Sequence, residues 1–278
     1  MAYVRTSEEP RASTALLTDK YELTMLAAAL RDDSAHRRCT FEVFARRLPE
    51  GRRYGVVAGT GRFLDALADF TFDDGALASA AGFLDAATLD HLAGYRFAGD
   101  VDGYPEGELF FPESPVLSVH GTFAECVILE TLVLSILNHD SAIASAAARM
   151  VSAAVGRPLI EMGSRRTHEQ AAIAAARAAW IAGFAGTSNL AAQRTYGVPA
   201  LGTSAHAFTL LHTTEDGPDE QAAFRAQVDA LGVDTTLLVD TYDITTGVAN
   251  AIAVAGPERG AVRIDSGDLG VIVRQVRD

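Results

Sequence analysis

Gly202-Thr203-Ser204-Ala205-His206 ends one apolar run of this chain, and Arg263-Ile264-Asp265-Ser266-Gly267-Asp268 ends a later one. An imidazole near neutral pH keeps an abundant neutral ring that can serve as general base, ligand or nucleophile. Arg165, Arg166 and Arg263 are permanent cations whose planar forks grip phosphate or carboxylate, so the expected ligand is anionic. Asp240, Asp243, Asp265 and Asp268 offer hard oxygens for Mg²⁺ or acceptors for sugar hydroxyls. A parallel α/β sheet gathers the carboxyl ends of its strands on one edge, and these segments are therefore expected to share one active site.

The elements that must position these residues fall into two parts. Residues 18–30 have helical apolar spacing with Thr18 or Asp19 as N-cap, and 40–46 alternate like a strand. A basic, Gly-containing stretch follows, then a helix over 60–68 and an Ala/Leu-rich segment over 75–92. Residues 99–121 read as short strands broken by Pro105-Glu106-Gly107 and Pro112-Glu113-Ser114-Pro115. Beyond them, short apolar runs at 157–163, 183–188, 199–204, 236–240 and 261–266 alternate with helical segments such as 167–181, 219–231 and 269–277. That rhythm predicts a parallel sheet with its polar residues collected at the strand ends. The expected organisation is a disordered N-terminus over 1–14, an α+β domain over 15–138 and a partial α/β-barrel catalytic domain over 139–278.

Composition sets the class. With 278 residues, 49% hydrophobic and 21% charged, the chain can bury a large core. Its net charge of −13 argues against nucleic acid or an anionic membrane as main partner. Cys39 and Cys126 are too few for a disulfide framework, and a reducing cytoplasm is expected. The start shows no apolar leader, and the apolar stretch 123–137 is too short to span a bilayer and reads as a core helix.

In order and spacing, Leu17-Thr18-Asp19-Lys20-Tyr21-Glu22-Leu23-Thr24-Met25, Glu161-Met162-Gly163-Ser164-Arg165-Arg166, Gly202 to His206, Asp240-Thr241-Tyr242-Asp243 and Arg263 to Asp268 resemble the nicotinate phosphoribosyltransferase family across nearly the whole chain. The resemblance implies an α/β fold, a small α+β N-terminal module followed by an incomplete parallel barrel of the type II phosphoribosyltransferase kind. It further implies condensation of nicotinate with 5-phosphoribosyl 1-pyrophosphate to nicotinate mononucleotide and pyrophosphate, coupled to ATP hydrolysis and using Mg²⁺. His206 matches the transiently phosphorylated histidine; Asp265 and Arg263 stand beside it as catalytic candidates, and Asp240, Ser266 and Asp268 as substrate ligands. Tyr21 matches a ring that stacks on nicotinate from a partner subunit, which implies a homodimer with shared active sites. Arg165 matches a residue lining the pyridine and ribose site, and Met162 stands where many relatives have Phe. Ser188 takes the place where nicotinamide-using relatives carry Asp, which favours the acid.

Plain structural roles compete for the same residues. Tyr21 fits a core position, His206 a helix start, Arg165 and Arg166 a solvated pair before a cap at Thr167, and the aspartates loop caps. Arg46, Arg47, Arg52 and Arg53 read as a solvated basic run, and the other histidines as structural or surface positions. The chain ends at Asp278, before the Gly-rich loops that bind the 5-phosphate in the family. An inactive truncated fragment is therefore one alternative, and a nicotinamide or quinolinate phosphoribosyltransferase another.

Overall fold

The computed structural model describes residues 12–258 and 260–277. By their contacts they fall into two units, one running to Leu201 and one starting at Gly202.

The first unit is built around a three-stranded antiparallel sheet with Leu117–Thr122 at its centre, between Arg38–Val43 and Asp100–Gly103. Leu117, Val119 and Gly121 of the central strand are buried in strict alternation, and Val119 pairs with both Phe41 and Val101. At the end of that strand Thr122 turns the chain into a helix through a capping box: Thr122 Oγ1 accepts from Glu125 N, and Glu125 Oε2 accepts from Thr122 N at 2.7 Å. Such a box contributes about 1 kcal/mol.

The helical run that starts there continues to Ala154, well past the expected end at 137. By length and composition it could cross a membrane, yet its apolar face is the core of this unit: Val127, Ile128, Leu129 and Leu132 pack with Phe63, Leu92 and Leu26. Its polar middle, which hides the continuation in the sequence, also faces inward. Ser141 Oγ receives Ala58 N, Ser145 Oγ receives Val56 N, and the fully buried Asp140 pairs with Arg62 at 2.7 Å. The run ends at Val155 and Gly156, both in the left-handed region.

Position 138 lies inside the helix Glu130–Ala154. Of the residues expected to be disordered, 1–11 lie outside the described ones, while Thr14 Oγ1 donates to Ala66 O at 2.6 Å. The Ala/Leu-rich segment forms two helices, Asp74–Ala80 and Ala86–Ala93, each capped by the aspartate before it.

Parallel β/α organisation begins with Ile160–Glu161 and Gly186–Thr187, connected by the helix Glu169–Ile181. A further parallel bridge joins Thr187 to Ala200, so the run expected as a strand over 199–204 contributes one rung. Arg177 of the connecting helix is buried and makes a bidentate pair with Glu106, at 2.8 and 2.7 Å. Burial pushes the Glu106 carboxyl up, but the Arg177 bond and charge and the Gly59 amide more than reverse this and hold it below its ordinary range. Removing one partner of such a pair costs about 3–5 kcal/mol.

The second unit repeats the parallel pattern. Thr236–Leu238 pairs with Ala261–Arg263, and the helix Ile244–Ala255 crosses between them over a core of Phe224, Leu237, Val239 and Ala251. That helix lies directly on the strand end because Gly247 has no side chain: a Cβ there would sit 2.2 Å from the Val239 carbonyl oxygen. The helices Glu220–Leu231 and Leu269–Arg277 match the expected spans to within a residue.

Candidate active site

Strand geometry explains how residues so far apart in sequence meet in the second unit. Leu238 and Arg263 are paired at the ends of their strands, and Val239 N still donates to Arg263 O at 3.1 Å. Asp240 on one strand and Asp265 on the other therefore leave the sheet at the same edge. The helix His206–Leu211 brings His206 to them as its first residue.

Asp240 is the hub. Its side chain is fully buried; Oδ1 lies 3.1 Å from His206 Nε2, and Oδ2 accepts from Asp265 N at 2.8 Å and Ser266 Oγ at 2.7 Å. Burial pushes this carboxyl up, but Ser266, the Asp265 amide and His206 outweigh it and hold the group below the usual aspartate range. An anion is thus fixed behind the imidazole. Arg263 completes the arrangement by donating to Asp265 Oδ1 at 2.7 Å and to Ser204 O at 3.4 Å. His206, Arg263 and Asp265 are accordingly brought together, with Ser266 beside them. Asp268 is engaged differently, accepting from Val271 N at 3.3 Å at the start of the helix Leu269–Arg277, and Asp243 accepts from Thr246 N at 2.8 Å.

A second cluster occupies the strand ends of the first unit. Glu161 Oε2 accepts from Thr187 Oγ1 at 2.7 Å, Ser188 N donates to Glu161 O at 2.9 Å, and Asn189 Nδ2 donates to Ser164 Oγ at 3.1 Å. These bonds fix the loops that carry Met162, Arg165 and Ser188, whose side chains are exposed. Glu161 and Asn189 hold these loops in place, a role that sequence reasoning, which named them only as polar strand-end residues, did not assign. The signal was available, since a carboxylate at a strand end and an Asn before a helix start both seek backbone or hydroxyl partners.

Tyr21 stands on the helix Lys20–Arg31, 46% exposed, so it is not a core residue. Its hydroxyl donates to Glu130 Oε1 at 3.0 Å, and this bond, followed by burial and the Glu130 charge, raises the phenol above its ordinary value. The helix beneath it is anchored by the fully buried Glu22, whose Oε1 accepts from Thr131 N at 3.0 Å and whose Oε2 accepts from Thr18 Oγ1. Thr18 is thereby engaged with Glu22, while Asp19 takes the N-cap position without a side-chain bond. Next to Tyr21 lies a cavity of about 670 Å³ with Arg47 and Arg52 among apolar walls of Phe44, Leu48 and Leu134. Two arginines of the run read as solvated therefore face a cavity.

Comparison with known proteins decides the family. The model of the nicotinate phosphoribosyltransferase (NAPRTase) N-terminal domain matches residues 16–138. Nicotinate phosphoribosyltransferase pncB1 of Mycobacterium tuberculosis is 75% identical over 266 residues, covering 95% of this chain and 59% of that protein. The chain belongs to the nicotinate phosphoribosyltransferase family. The enzyme of Bacillus subtilis is 36% identical over 284 residues, covering 95% of this chain and 55% of that one. Among solved structures, the crystal structure of human nicotinic acid phosphoribosyltransferase aligns with a TM-score of 0.81 at 28% identity, over 94% of this chain and 63% of that chain. The chain thus spans somewhat more than half the length of the curated relatives it matches. An α+β module followed by parallel β/α units is the type II phosphoribosyltransferase fold, as the motifs implied. The segments on which the sequence resemblance rested lie at the two strand-end clusters and on the Tyr21 helix.

Proposed function

We propose that the chain carries nicotinate phosphoribosyltransferase chemistry, in which nicotinate and 5-phosphoribosyl 1-pyrophosphate form nicotinate mononucleotide and pyrophosphate. ATP hydrolysis is coupled to this through transient phosphorylation of His206, as a salvage route to NAD. The observation that carries the reading is the 3.1 Å contact between His206 Nε2 and the buried Asp240 carboxylate. An ionised acceptor at Nε2 keeps the ring proton there and leaves the lone pair on Nδ1. Nδ1 attacks the γ-phosphorus of ATP; an N–P bond forms as the bond to the ADP oxygen breaks. Water later takes the phosphoryl group, releasing phosphate and restoring the neutral ring.

In the glycosyl step the pyridine nitrogen attacks ribose C1 as pyrophosphate leaves, and positive charge develops on the sugar. Asp265 is suited to face that charge: its side chain is 42% exposed and one of its oxygens holds Arg263. Arg263 and Arg165 grip phosphate and carboxylate groups. No cluster of three or more His, Cys, Asp or Glu side chains among the described residues is arranged to hold a metal ion. Mg²⁺, implied by the family resemblance, would be held mainly by substrate phosphates, with the partly exposed Asp265 carboxylate as the protein oxygen on offer, and would neutralise charge on the leaving group. The exposed ring of Tyr21 and the open side chains of Met162 and Ser188 suit nicotinate binding, with Tyr21 offered to a second copy in a homodimer. Both cysteines are free thiols, consistent with a cytoplasmic enzyme.

Radiolabelled ATP should transfer its γ-phosphate to the chain, and His206→Ala should abolish the label. With nicotinate, 5-phosphoribosyl 1-pyrophosphate, ATP and Mg²⁺ the chain should form nicotinate mononucleotide faster than it converts nicotinamide or quinolinate. A folded chain that gives neither label nor nucleotide sinks the reading.

A further inference from the structure

The chain's two cysteines, both free thiols, stand far apart in sequence and take no part in the sites above. Backbone register brings them to one place. Cys39 lies on the edge strand Arg38–Val43 directly opposite Gly121 of the central strand, and cross-strand partners hold their Cβ positions about 5 Å apart on one face of the sheet. Cys126, in the helical turn that follows the central strand, folds back over the same spot. Its Sγ stands 3.9 Å from Val119 O and would lie 3.0 Å from a Cβ placed on Gly121. A glycine at 121 is therefore what leaves Cys126 room beside the position opposite Cys39.

The two thiols differ in what can reach them. Cys39 is half-buried, whereas Cys126 is 2% exposed. Burial pushes the Cys126 thiol up to about 12, and the charge and hydrogen bonding of Cys39, followed by the Glu125 carboxylate, push the same way against Arg38. Cys126 is thus inert while Cys39 is reduced, and Cys39 is the thiol that a small oxidant meets first. Once Cys39 is oxidised to an uncharged sulfur, its repulsion on the neighbouring thiolate is gone, and the buried sulfur becomes the resolving group.

We propose that Cys39 and Cys126 form a reversible redox pair, closed to a disulfide by a peroxide and reopened by a dithiol reductant. The Cys39 sulfur attacks one oxygen of hydrogen peroxide, the O–O bond breaks, and the leaving hydroxide takes the Cys39 proton as water, which leaves a sulfenic acid. The Cys126 sulfur then attacks that sulfur; the S–O bond breaks, and the departing hydroxide takes the Cys126 proton. Two thiols and one peroxide give one disulfide and two waters, with two electrons passed from sulfur to oxygen. In a reducing compartment such a bond is transient, the pattern of redox-sensing pairs. Closed, it ties the edge strand to the start of the helical run whose Glu130 holds the Tyr21 hydroxyl.

Treatment of the folded chain with hydrogen peroxide, quenched by alkylation and read by peptide mass mapping, tests this. The expected product is one intramolecular bond joining the Cys39 and Cys126 peptides, with the chain lighter by two hydrogen atoms and restored by dithiothreitol. Before oxidation, alkylation of the native fold should label Cys39 well ahead of Cys126. The oxidised chain should keep its circular dichroism and melt several degrees higher, because the bond closes a long loop in the unfolded chain. Cys39→Ser, at a half-buried position, should fold, lose the cross-link and leave Cys126 unmodified; the readouts on the native chain hold whatever the fold of that variant. Peroxide that carries Cys39 to sulfinic acid without a cross-link, a bond only between chains, earlier labelling of Cys126, or a disulfide that fails to raise the melting temperature overturns the proposal.

Discussion

The two strand-end clusters are built on opposite plans. Around Asp240 both carboxylate oxygens are engaged, and His206, Asp265 and Ser266 are tied to one buried side chain. Around Glu161 the bonds hold the loop backbone, the Thr187 hydroxyl and the Asn189–Ser164 pair, while the side chains of Met162, Arg165 and Ser188 project without such ties among the described residues. Preorganised groups serve best where charge develops during reaction, while open side chains serve where a ligand supplies the missing partners. The comparison teaches that stability and chemistry should be coupled at the first cluster and separable at the second.

The strongest way to break this comparison is Asp240→Asn. The variant keeps the shape but removes the anion behind the imidazole and sets an NH₂ group against donors. Loss of the correct ring tautomer should lower turnover by about 10²–10⁴-fold, and the melting temperature should fall with it. A pH profile separates charge from shape. Asp240 titrates lower in the folded chain than its ordinary value, so its stabilisation is complete above the ordinary aspartate range. As pH falls through that range the unfolded chain takes up its proton first, and the contribution disappears once the folded carboxyl is protonated too. Urea unfolding at stepped pH should show this acid-side loss in the native chain and a flatter limb in Asp240→Asn. An unchanged acid limb would remove Asp240 from the role of hub.

At the open cluster, Arg165→Ala should raise the Michaelis constant for nicotinate or the phosphoribosyl donor by about 10–100-fold, the worth of a charge-assisted hydrogen bond. Stability should stay within about 0.5 kcal/mol. Ser188→Asp is expected to act more gently. A carboxylate placed beside the ligand's own should cost nicotinate about tenfold in affinity, with the melting temperature unmoved. Steady-state kinetics beside thermal melts check both variants, and a parallel fall in stability would merge the two plans into one.

How much of this was legible in the sequence differs between the two regions for the same physical reason. Elements set by local chemistry were readable. The helix 60–68 has the observed bounds, and Asp219 caps the helix that follows it. Strands were overestimated: the run 157–163 contains Pro158, which has no N–H for a ladder, and only Ile160–Glu161 pairs. The long helix was cut short at 137 because Asn138-His139-Asp140-Ser141 looks like surface. Its true partners, Arg62 and Ala58, come from elsewhere in the chain. Asp240 was visible as a polar strand end, but its central position depends on Asp265 N and Ser266 Oγ arriving from another strand. Likewise Arg177 lies within an alanine-rich helix, where nothing local reveals that Glu106 buries against it.

The smallest expected effect comes from Tyr21, and it bears on whether the open plan extends beyond the strand ends. Its ring is exposed and its hydroxyl bonds to Glu130, so the side chain has two separable parts. Tyr21→Phe removes only the hydroxyl; because that bond is exposed, stability should change by less than about 0.5 kcal/mol. Nicotinate affinity should also persist, since the π-face remains. Tyr21→Ala removes the face, and the stacking contribution of about 1 kcal/mol corresponds to roughly fivefold weaker binding. If the ring acts from a second copy, mixing Tyr21→Ala with His206→Ala chains should return part of the activity to the native nicotinate affinity, because some dimers then carry one site with both residues intact. If the phenylalanine variant loses as much affinity as the alanine variant, the hydroxyl and its tie to Glu130 is the operative group, and Tyr21 belongs with the pinned residues.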